Sequence, residues 1–410
     1  MKKILTLTLL SIVISGCGGG GGGGGGGVSS SGGDGVSSSG GGSVGTAPVV
    51  NDPPNADAGS NQIVAKGSPV ILNGEQSFDP EGEELSYAWS LVSAPDSSVS
   101  TLLDYSVATP SFTPDVSGDY VIELVVNDGI QDSTPSQITI SAYTGVSGIY
   151  LEDALWSSVD SPYLVTDDVQ IAFGTTLTIE GGVKVFGNEL KLSIFGTLKA
   201  VGTAENKINI ENLSIDQGDN DSNEPSYIEI RHAEFIAGEI LGPTGNSVYG
   251  SFDISDSVLS NTDFMYIWYP VADSTIERNI FIDSGGISVG ISGYVNVFVR
   301  NNVFIGSTGS NYSGSTYAVR NWADYSYGSL LVEYNSFLTS NQIAVELQSG
   351  GYDTAAMIAE NNFWNTVEPD EIETMISDKN DDLGLAGFIS YSPYLTEPHP
   401  DTPDASAYID

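Results

Sequence analysis

Apart from its carboxylates, this chain of 410 amino acids has few residues that could do chemistry. It contains one cysteine, two histidines and 12 lysine and arginine residues. Against these stand 53 aspartate and glutamate residues, for a formal net charge of −41 at pH 7. A single cysteine excludes a disulfide framework and a multi-cysteine zinc site. The acidic excess argues against nucleic acid and anionic lipid headgroups as direct partners, because basic surfaces bind both.

Four carboxylates in one part of the chain could bind a hard cation. Asp79, Glu81 and Glu83 lie at alternate positions, and Asp128 follows a predicted strand. Calcium is bound by several carboxylate and carbonyl oxygens, so Ca²⁺ is the cofactor that this group predicts. The alternative is that residues 79–82 form a turn selected for its backbone preferences and its solubility.

Aromatic side chains supply the candidate ligand-binding residues, which are Tyr266, Trp268, Trp322 and Tyr325. The neighbours of Tyr266 are expected to be buried in a strand, so the alternation directs Tyr266 and Trp268 outward. Ser288 and Gly290 occupy the same positions one repeat later, and their small size would leave both rings uncovered. Exposed flat rings favour carbohydrate as the ligand. The alternative is that the rings pack against an insertion at residues 309–327.

The first 16 residues are predicted to be a lipoprotein signal peptide. Lys2 and Lys3 precede an apolar stretch from Ile4 to Ile14, which is too short to span a bilayer. The string Ile14-Ser15-Gly16-Cys17 resembles the bacterial lipobox. That resemblance implies that Cys17 is lipidated and anchors the chain to a membrane, and Gly18 after it implies the outer membrane. Residues 17–47 then form a Gly/Ser-rich tether.

Residues 48–143 are predicted to form a β-sandwich. Short alternating runs such as Tyr87–Trp89 and Tyr120–Val126 are separated by Pro, Gly, Asn and Asp, as in sandwich folds. The strings Ser77-Phe78-Asp79-Pro80-Glu81-Gly82 and Val126-Asn127-Asp128-Gly129 resemble those of polycystic-kidney-disease-type (PKD) immunoglobulin-like domains. Trp89 is expected to fill the core between the two sheets, and some relatives in this family bind calcium.

Residues 150–393 repeat with a period near 23. Six segments each place an aromatic residue or leucine five positions after a β-branched residue: Ile230…Phe235, Ile254…Leu259, Ile276…Phe281, Val299…Phe304, Val332…Phe337 and Ile358…Phe363. Four carry asparagine two positions before the ring, namely Asn279, Asn302, Asn335 and Asn361. Alternation within such a period predicts a right-handed parallel β-helix. The recurring asparagines are expected in left-handed turn positions, bonded to one another from coil to coil.

This repeat resembles the pectate-lyase-like β-helix superfamily. The end of the repeat, with Asn361-Asn362-Phe363-Trp364 and Tyr391-Ser392-Pro393, resembles that of bacterial surface proteins with a capping helix, here predicted at residues 370–377. An acidic, Pro-rich tail follows at residues 394–410. The whole chain is therefore predicted to be all-β, with one short helix.

The resemblance also raises the question of catalysis. Hydrolase relatives carry several motifs, of which only Asn261-Thr262-Asp263 has a match here, and the repeat explains it as a turn. Of the two histidines, His232 lies in a predicted turn and His399 lies in the tail. The sequence therefore assigns no catalytic residue. It favours a cell-surface binding or adhesion protein for carbohydrate, another surface polymer or a surface protein. A polysaccharide lyase or hydrolase and a purely structural surface protein remain the alternatives.

Overall fold

The structure is a computed structural model that describes residues 51–218, 225–241, 250–291, 293–307, 316–324, 328–338, 342–347, 357–381 and 387–409. Cys17 and the predicted tether lie outside these residues. Within them the fold is almost entirely β, as the sequence predicts, and no helix is long and apolar enough to cross a membrane.

The strands follow in chain order. The first six are β1 (Gln62–Ala65), β2 (Val70–Ile71), β3 (Ser86–Ser93), β4 (Ser111–Phe112), β5 (Gly118–Asn127) and β6 (Ser136–Tyr150). The next twelve are β7 (Ala154–Trp156), β8 (Tyr163–Ile171), β9 (Thr176–Glu180), β10 (Lys184–Ile194), β11 (Thr197–Val201), β12 (Ile208–Gln217), β13 (Ser226–Arg231), β14 (Ala233–Ile236), β15 (Ile240–Leu241), β16 (Gly250–Ser255), β17 (Val258–Ser260) and β18 (Met265–Trp268). The remainder are β19 (Ser274–Glu277), β20 (Ile280–Ser284), β21 (Ile287–Ile291), β22 (Val297–Arg300), β23 (Val303–Ser307), β24 (Tyr317–Asp324), β25 (Leu330–Glu333), β26 (Ser336–Phe337), β27 (Ile343–Leu347), β28 (Met357–Ile358), β29 (Ile376–Ser377) and β30 (Ile389–Ser390). The α-helix α1 covers Pro369–Glu373, and Ser158–Asp160 and Ser406–Tyr408 form 3₁₀ turns.

The first strands form the predicted sandwich. β3, β5 and β6 pair antiparallel, β1 adds to β6 in parallel, and β2 pairs with β4. Their alternating apolar residues close one core, in which Trp89 is buried as predicted. Its indole Nε1–H donates to the carbonyl oxygen of Val107 at 3.1 Å, so the buried ring leaves no polar atom unpaired.

Strand β6 belongs to the sandwich and to the β-helix at once. Residues Ser136–Ala142 pair with β5, and Thr144–Tyr150 pair in parallel with β8. At the same junction the Nζ of Lys66 lies 2.9 Å from a carboxylate oxygen of Asp160. The residues between the two predicted domains are therefore a continuous strand, and an ion pair crosses the boundary beside it.

Three parallel sheets form the β-helix. One continues from β6 through β8, β10, β12, β14, β17, β20 and β23 to β26. The second runs from β7 through β9, β11, β13, β16, β19, β22, β25 and β28 to β30, and the third comprises β18, β21, β24, β27 and β29. The apolar residues that alternate along these strands form one continuous core.

A ladder of buried asparagine amides runs through four successive coils, and its members are Asn279, Asn302, Asn335 and Asn362. The Nδ2 of each of the first three donates to the Oδ1 of the next asparagine at 3.0–3.1 Å. Each Nδ2 also donates to a main-chain carbonyl, for example Asn302 to Ile276 at 2.9 Å. The predicted bonding between coils is thus confirmed for Asn279, Asn302 and Asn335. The predicted left-handed geometry is wrong for these three residues and is found only at Asn361 (φ 57°), which lies outside the ladder. Positive φ belongs to the preceding residue, such as Asn301 (φ 54°), which turns the chain so that the ladder side chain points inward.

Aromatic rings stack beside the ladder. The Phe281 and Phe304 ring centroids lie 4.8 Å apart, those of Phe304 and Phe337 lie 5.3 Å apart, and Trp364 continues the stack at 5.0 Å. The predicted register is confirmed up to Phe337.

In the last coil the predicted register is wrong by one residue. Ala359 and Trp364 are buried where the sequence suggested Ile358 and Phe363, and Asn362 replaces Asn361 in the ladder. The reason is that β28 pairs Ile358 with Leu331, whose side chain points away from the core.

The cap at the end of the β-helix also differs from its prediction. Helix α1 ends at Glu373, and Ile376–Ser377 form strand β29, which pairs with β27. The predicted apolar residues Ile372, Met375 and Ile376 are all buried. Pairing with the open edge of β27 thus outweighs the helical pattern after Glu373.

The tail folds back along the β-helix. The Thr402 hydroxyl donates to the Tyr334 carbonyl at 3.0 Å, and the rings of His399 and Tyr334 lie 4.7 Å apart. Ala405 packs with Ile280 and Val303 on the outer face of the first sheet. The tail therefore covers an apolar stripe on the outside of the β-helix.

The stack predicts a large penalty for losing one ring. Phe304→Ala should lower the free energy of unfolding by about 3–5 kcal/mol, because it leaves a cavity between two stacked rings. Phe388→Ala is the control, since Phe388 is 60% exposed and should change stability by less than about 0.5 kcal/mol. Urea unfolding of the two variants measures the difference, and equal effects would contradict this core.

Candidate binding site

The third sheet aligns one position from each of five coils: Tyr266, Ser288, Arg320, Glu346 and Ser377. Ser288, Arg320 and Glu346 are buried. In β18, the neighbours Met265 and Ile267 are buried as the sequence predicts. Tyr266 lies in register with Ser288, and Trp268 lies in register with Gly290. The predicted pairing of large and small residues is therefore confirmed.

Tyr266 is half-buried in this arrangement. Its ring centroid lies 6.0 Å from that of Phe264, with the planes tilted by 43°. Trp268 and Trp322 belong to β18 and β24, but their side chains lie outside the described residues, as does Tyr325 altogether. The described part of the candidate site is thus the Tyr266 side chain and the polar column that continues from it.

A buried ion pair follows Tyr266 along the column. The Nη2 of Arg320 lies 3.0 Å from the Oε1 of Glu346, and each side chain is only 9% exposed. The Arg320 guanidinium carbon lies 5.0 Å from the centroid of the Tyr317 ring, which in turn lies 5.2 Å from that of Phe264. An arginine fixed between a carboxylate and an aromatic face has a defined orientation, since both contacts constrain its planar group.

Two polar atoms of this cluster have unused hydrogen-bonding capacity. The Nε of Arg320 and the Oη of Tyr317 are buried and find no hydrogen-bond partner among the described residues. Buried polar atoms are nearly always paired with protein, water or a ligand. The cluster therefore contains one donor and one hydroxyl without a protein partner, and both are enclosed within the fold.

The basic residues of the β-helix are mostly used in ion pairs. Six of its nine lysines and arginines contact carboxylates: Lys191, Lys207, Arg231, Arg278, Arg300 and Arg320. Arg300, for example, pairs with Glu277 of the preceding coil at 2.8 Å. A lyase needs a free base beside its substrate, and these six cations are held by structural partners.

A separate polar cavity of about 280 Å³ opens beside strands β12 and β15, lined by Glu189, Asn212, Ser214, Gly238, Glu239 and Asp263. Burial, together with the negative charges of Asp263 and Asp216, raises the pKa of Glu239. Asp263 is the acidic residue of the Asn-Thr-Asp match found in the sequence. The cavity thus contains one carboxyl group biased toward the protonated form beside another carboxylate.

Three of the four predicted metal ligands lie together in the sandwich. One carboxylate oxygen from each of Asp79, Glu81 and Glu83 lies within 4.8 Å of the other two, whereas Asp128 is not in this group. Asp128 instead accepts main-chain hydrogen bonds from Ile130 and Gln131, which close its own turn.

The oxygens of Asp79 are in unlike environments. Its Oδ1 accepts main-chain N–H groups of residues 81–83, whereas its Oδ2 is buried and receives no N–H donor among the described residues. A hydrogen bond to the Asp79 carboxylate raises the pKa of Glu83. Crowding of three carboxylates fits a hard cation such as Ca²⁺, and sharing of a proton between Glu83 and Asp79 would relieve the same crowding without a cation.

Comparison with known proteins identifies the first domain. A family model described as a PKD domain matches residues 58–141. These residues form a PKD domain. Protein bark beetle of Drosophila melanogaster is 41% identical over 86 residues, which are 20% of this chain and 3% of the fly protein.

Two solved structures show the same kind of partial similarity. The PKD domain of human KIAA0319 is 20% identical, with 26% of this chain and 94% of that chain covered and a TM-score of 0.21. A nucleoside hydrolase-related hypothetical protein from Saccharophagus degradans, associated with carbohydrate metabolism, is 24% identical, with 22% and 26% covered and a TM-score of 0.21. This chain thus spans about a quarter of the latter protein, and the similarities do not extend a function to the β-helix.

Sequence reasoning missed the Arg320–Glu346 pair and the Glu239–Asp263 pair. Each joins residues more than 20 positions apart that meet only through the register of neighbouring coils. The sequence contains part of the information needed to predict these pairs. Once the coils are aligned on their recurring aromatic residue or leucine, the outward positions of successive coils can be aligned as well. The coil between Phe304 and Phe337 is longer than its neighbours, which left Arg320 without an assigned position.

Proposed function

We propose that this protein is an outer-membrane lipoprotein that presents a non-catalytic binding surface for carbohydrate or another surface polymer. The PKD domain supports a role as a surface or binding module. The lipobox-like string at Cys17 supports the anchor. The third sheet of the β-helix supplies the binding surface.

The observation that carries the proposal is the column that begins at Tyr266. A half-buried ring lies in register with Ser288, and the Arg320–Glu346 pair continues in the same register. A flat ring contacts the C–H face of a sugar. Ser288, Arg320 and Glu346 are buried, so they would hold the strands beside the ring and not contact the ligand. The three features are held by parallel strands, so binding would require little rearrangement.

The binding surface is tested with Tyr266→Ala. Loss of the ring should weaken binding on a glycan array by about fivefold, because stacking on one ring contributes about 1 kcal/mol. Tyr105→Ala is the matched control, since Tyr105 is 63% exposed in the PKD domain and outside the column. Thermal melts of both variants check that the fold survives. Equal glycan binding by the wild type and Tyr266→Ala would remove this column from the site.

The anchor is tested with Cys17→Ser. The thiol is the proposed site of acylation, so the variant should leave the membrane fraction and appear in the soluble fraction or as uncleaved precursor. Ser15→Ala is the control because it keeps a small residue before the cysteine. Partitioning into the detergent phase of a Triton X-114 extract is the measurement, and unchanged partitioning of Cys17→Ser would contradict the lipoprotein proposal.

A second candidate function, polysaccharide hydrolysis, is favoured by the cavity that contains Glu239 and Asp263. A carboxyl group with a raised pKa beside a second carboxyl group is part of the arrangement that acid–base catalysis of glycosidic bond cleavage uses. The lyase alternative lacks such an observation, because most cations of the β-helix are held in ion pairs.

Both catalytic alternatives are tested on a panel of neutral and uronate polymers. Hydrolysis should release reducing ends, and Glu239→Gln should lower that rate by at least about 100-fold. Glu234→Gln, which alters the partner of Lys207 outside the cavity, should have no effect. Elimination would instead produce ultraviolet absorbance from unsaturated products, with or without calcium. The absence of both signals across the panel supports the non-catalytic proposal.

A further inference from the structure

The PKD domain and the β-helix meet at one peptide group of strand β6. The carbonyl oxygen of Tyr143 accepts the main-chain N–H of Lys66 at 2.8 Å. The N–H of Thr144, at the other end of the same peptide group, donates to the carbonyl oxygen of Pro162 at 2.9 Å. Lys66 follows strand β1 of the PKD domain, whereas Pro162 precedes strand β8 of the β-helix. The two ends of one planar peptide are therefore bonded to different domains, with no residue between them.

The inward face of β6 also passes from one core directly to the other. Ile140 and Ala142 are buried in the core of the PKD domain, and Val146 is buried in the core of the β-helix. Thr144 lies on the same face between them, because side chains alternate along a strand. A polar side chain thus occupies the point where the two apolar cores meet.

The hydroxyl of Thr144 connects groups from both domains. It donates to the main-chain carbonyl oxygen of Asp160 at 2.7 Å, and the hydroxyl of Ser117 lies 2.7 Å from it. Ser117 precedes strand β5 of the PKD domain and is 6% exposed. Because Thr144 uses its proton toward Asp160, Ser117 is the donor to Thr144. The two hydroxyls therefore form a chain of hydrogen bonds from the PKD domain to the β-helix.

The carboxylate of Asp160 adds a second connection between the domains. One of its oxygens accepts from the Nζ of Lys66 at 2.9 Å, and the other accepts from the hydroxyl of Ser157 at 3.0 Å. The hydrogen bond from Lys66, followed by the one from Ser157, lowers the pKa of Asp160. The ion pair is partly exposed and alone would stabilise little. It acts together with the bond from Thr144 to the carbonyl oxygen of the same residue, so Asp160 is the centre of the junction.

We propose that the PKD domain is a rigid arm of the β-helix, locked in one orientation by these side chains. They are Lys66, Ser117, Thr144 and Asp160, which we call the junction hub. Domains joined by small polar interfaces normally move relative to each other. Here the shared peptide group fixes the direction of the chain. The hub fixes rotation about β6, because side chains stand out of the plane of the main-chain hydrogen bonds of a strand. Loss of the hub should therefore leave both domains folded but free to rotate.

Pulsed electron paramagnetic resonance tests the arm by measuring the distance between two spin labels on the full chain. Cys17→Ser removes the single native cysteine. The labels are attached at Val99→Cys in the PKD domain and Ile236→Cys in the β-helix, at positions that are 84% and 43% exposed. A rigid arm predicts one narrow distance distribution.

The hub variant combines Lys66→Met with Thr144→Val. It should broaden the distance distribution by at least about twofold, because it removes the ion pair and both hydroxyl bonds. The matched control combines Lys207→Met with Ser260→Ala. Lys207 pairs with Glu234 at 2.7 Å, and the hydroxyl of Ser260 donates to a main-chain carbonyl oxygen at 3.2 Å, so both lost contacts lie within the β-helix.

Thermal melts check that each labelled variant is folded, and Lys66→Met alone replaces the hub variant if the latter does not fold. A narrow wild-type distribution that broadens in the hub variant and not in the control supports the inference. A broad or multiple wild-type distribution overturns the rigid arm. A narrow distribution that survives the hub variant, or that broadens equally in the control, overturns the role of the hub.

Discussion

The buried asparagine ladder is the constraint on which the β-helix depends. Each amide inside the core must find donors and acceptors, and it finds them only if the next coil lies at the spacing of a β-ladder. The ladder therefore fixes the register of neighbouring coils, and the stacked rings two residues later follow from it. A coil can lengthen elsewhere without disturbing this corner, as the one between Phe304 and Phe337 does. The third sheet, and with it the proposed binding surface, is aligned by the same register.

Much of this fold can be predicted from the sequence, because the pattern that specifies each coil lies within a short stretch of the chain. The β-branched residue, the asparagine and the ring recur at fixed offsets, so Phe281, Phe304 and Phe337 could be placed inside the core without any structure. The last coil could not, because Phe363 and Trp364 are both aromatic and neither position is excluded by composition. Similarly, Ile376 continues a helical apolar stripe, and only the open edge of β27 makes it a strand.

The candidate sites also differ in whether their residues are close in sequence or come from different coils. Asp79, Glu81 and Glu83 are close in sequence, and their clustering was predictable from a single turn. The direction of Tyr266 followed from the alternation of one strand. The Arg320–Glu346 and Glu239–Asp263 pairs join different coils, and they required the register across insertions of unequal length. Local patterns thus predicted which residues face outward, and tertiary pairing decided which of them meet.

The parallel pairing of β1 with β6 has a mechanical consequence. The chain enters the PKD domain before β1, at the end where β6 begins, and leaves it through β6 at the opposite end. A force that separates the amino-terminal end of the domain from the β-helix would pull these two strands in opposite directions along their length. The paired residues from Gln62 to Ala65 would then be loaded together in shear rather than peeled apart one at a time. Because β6 continues into the first coil, the same force would pass directly into the β-helix without bending a linker.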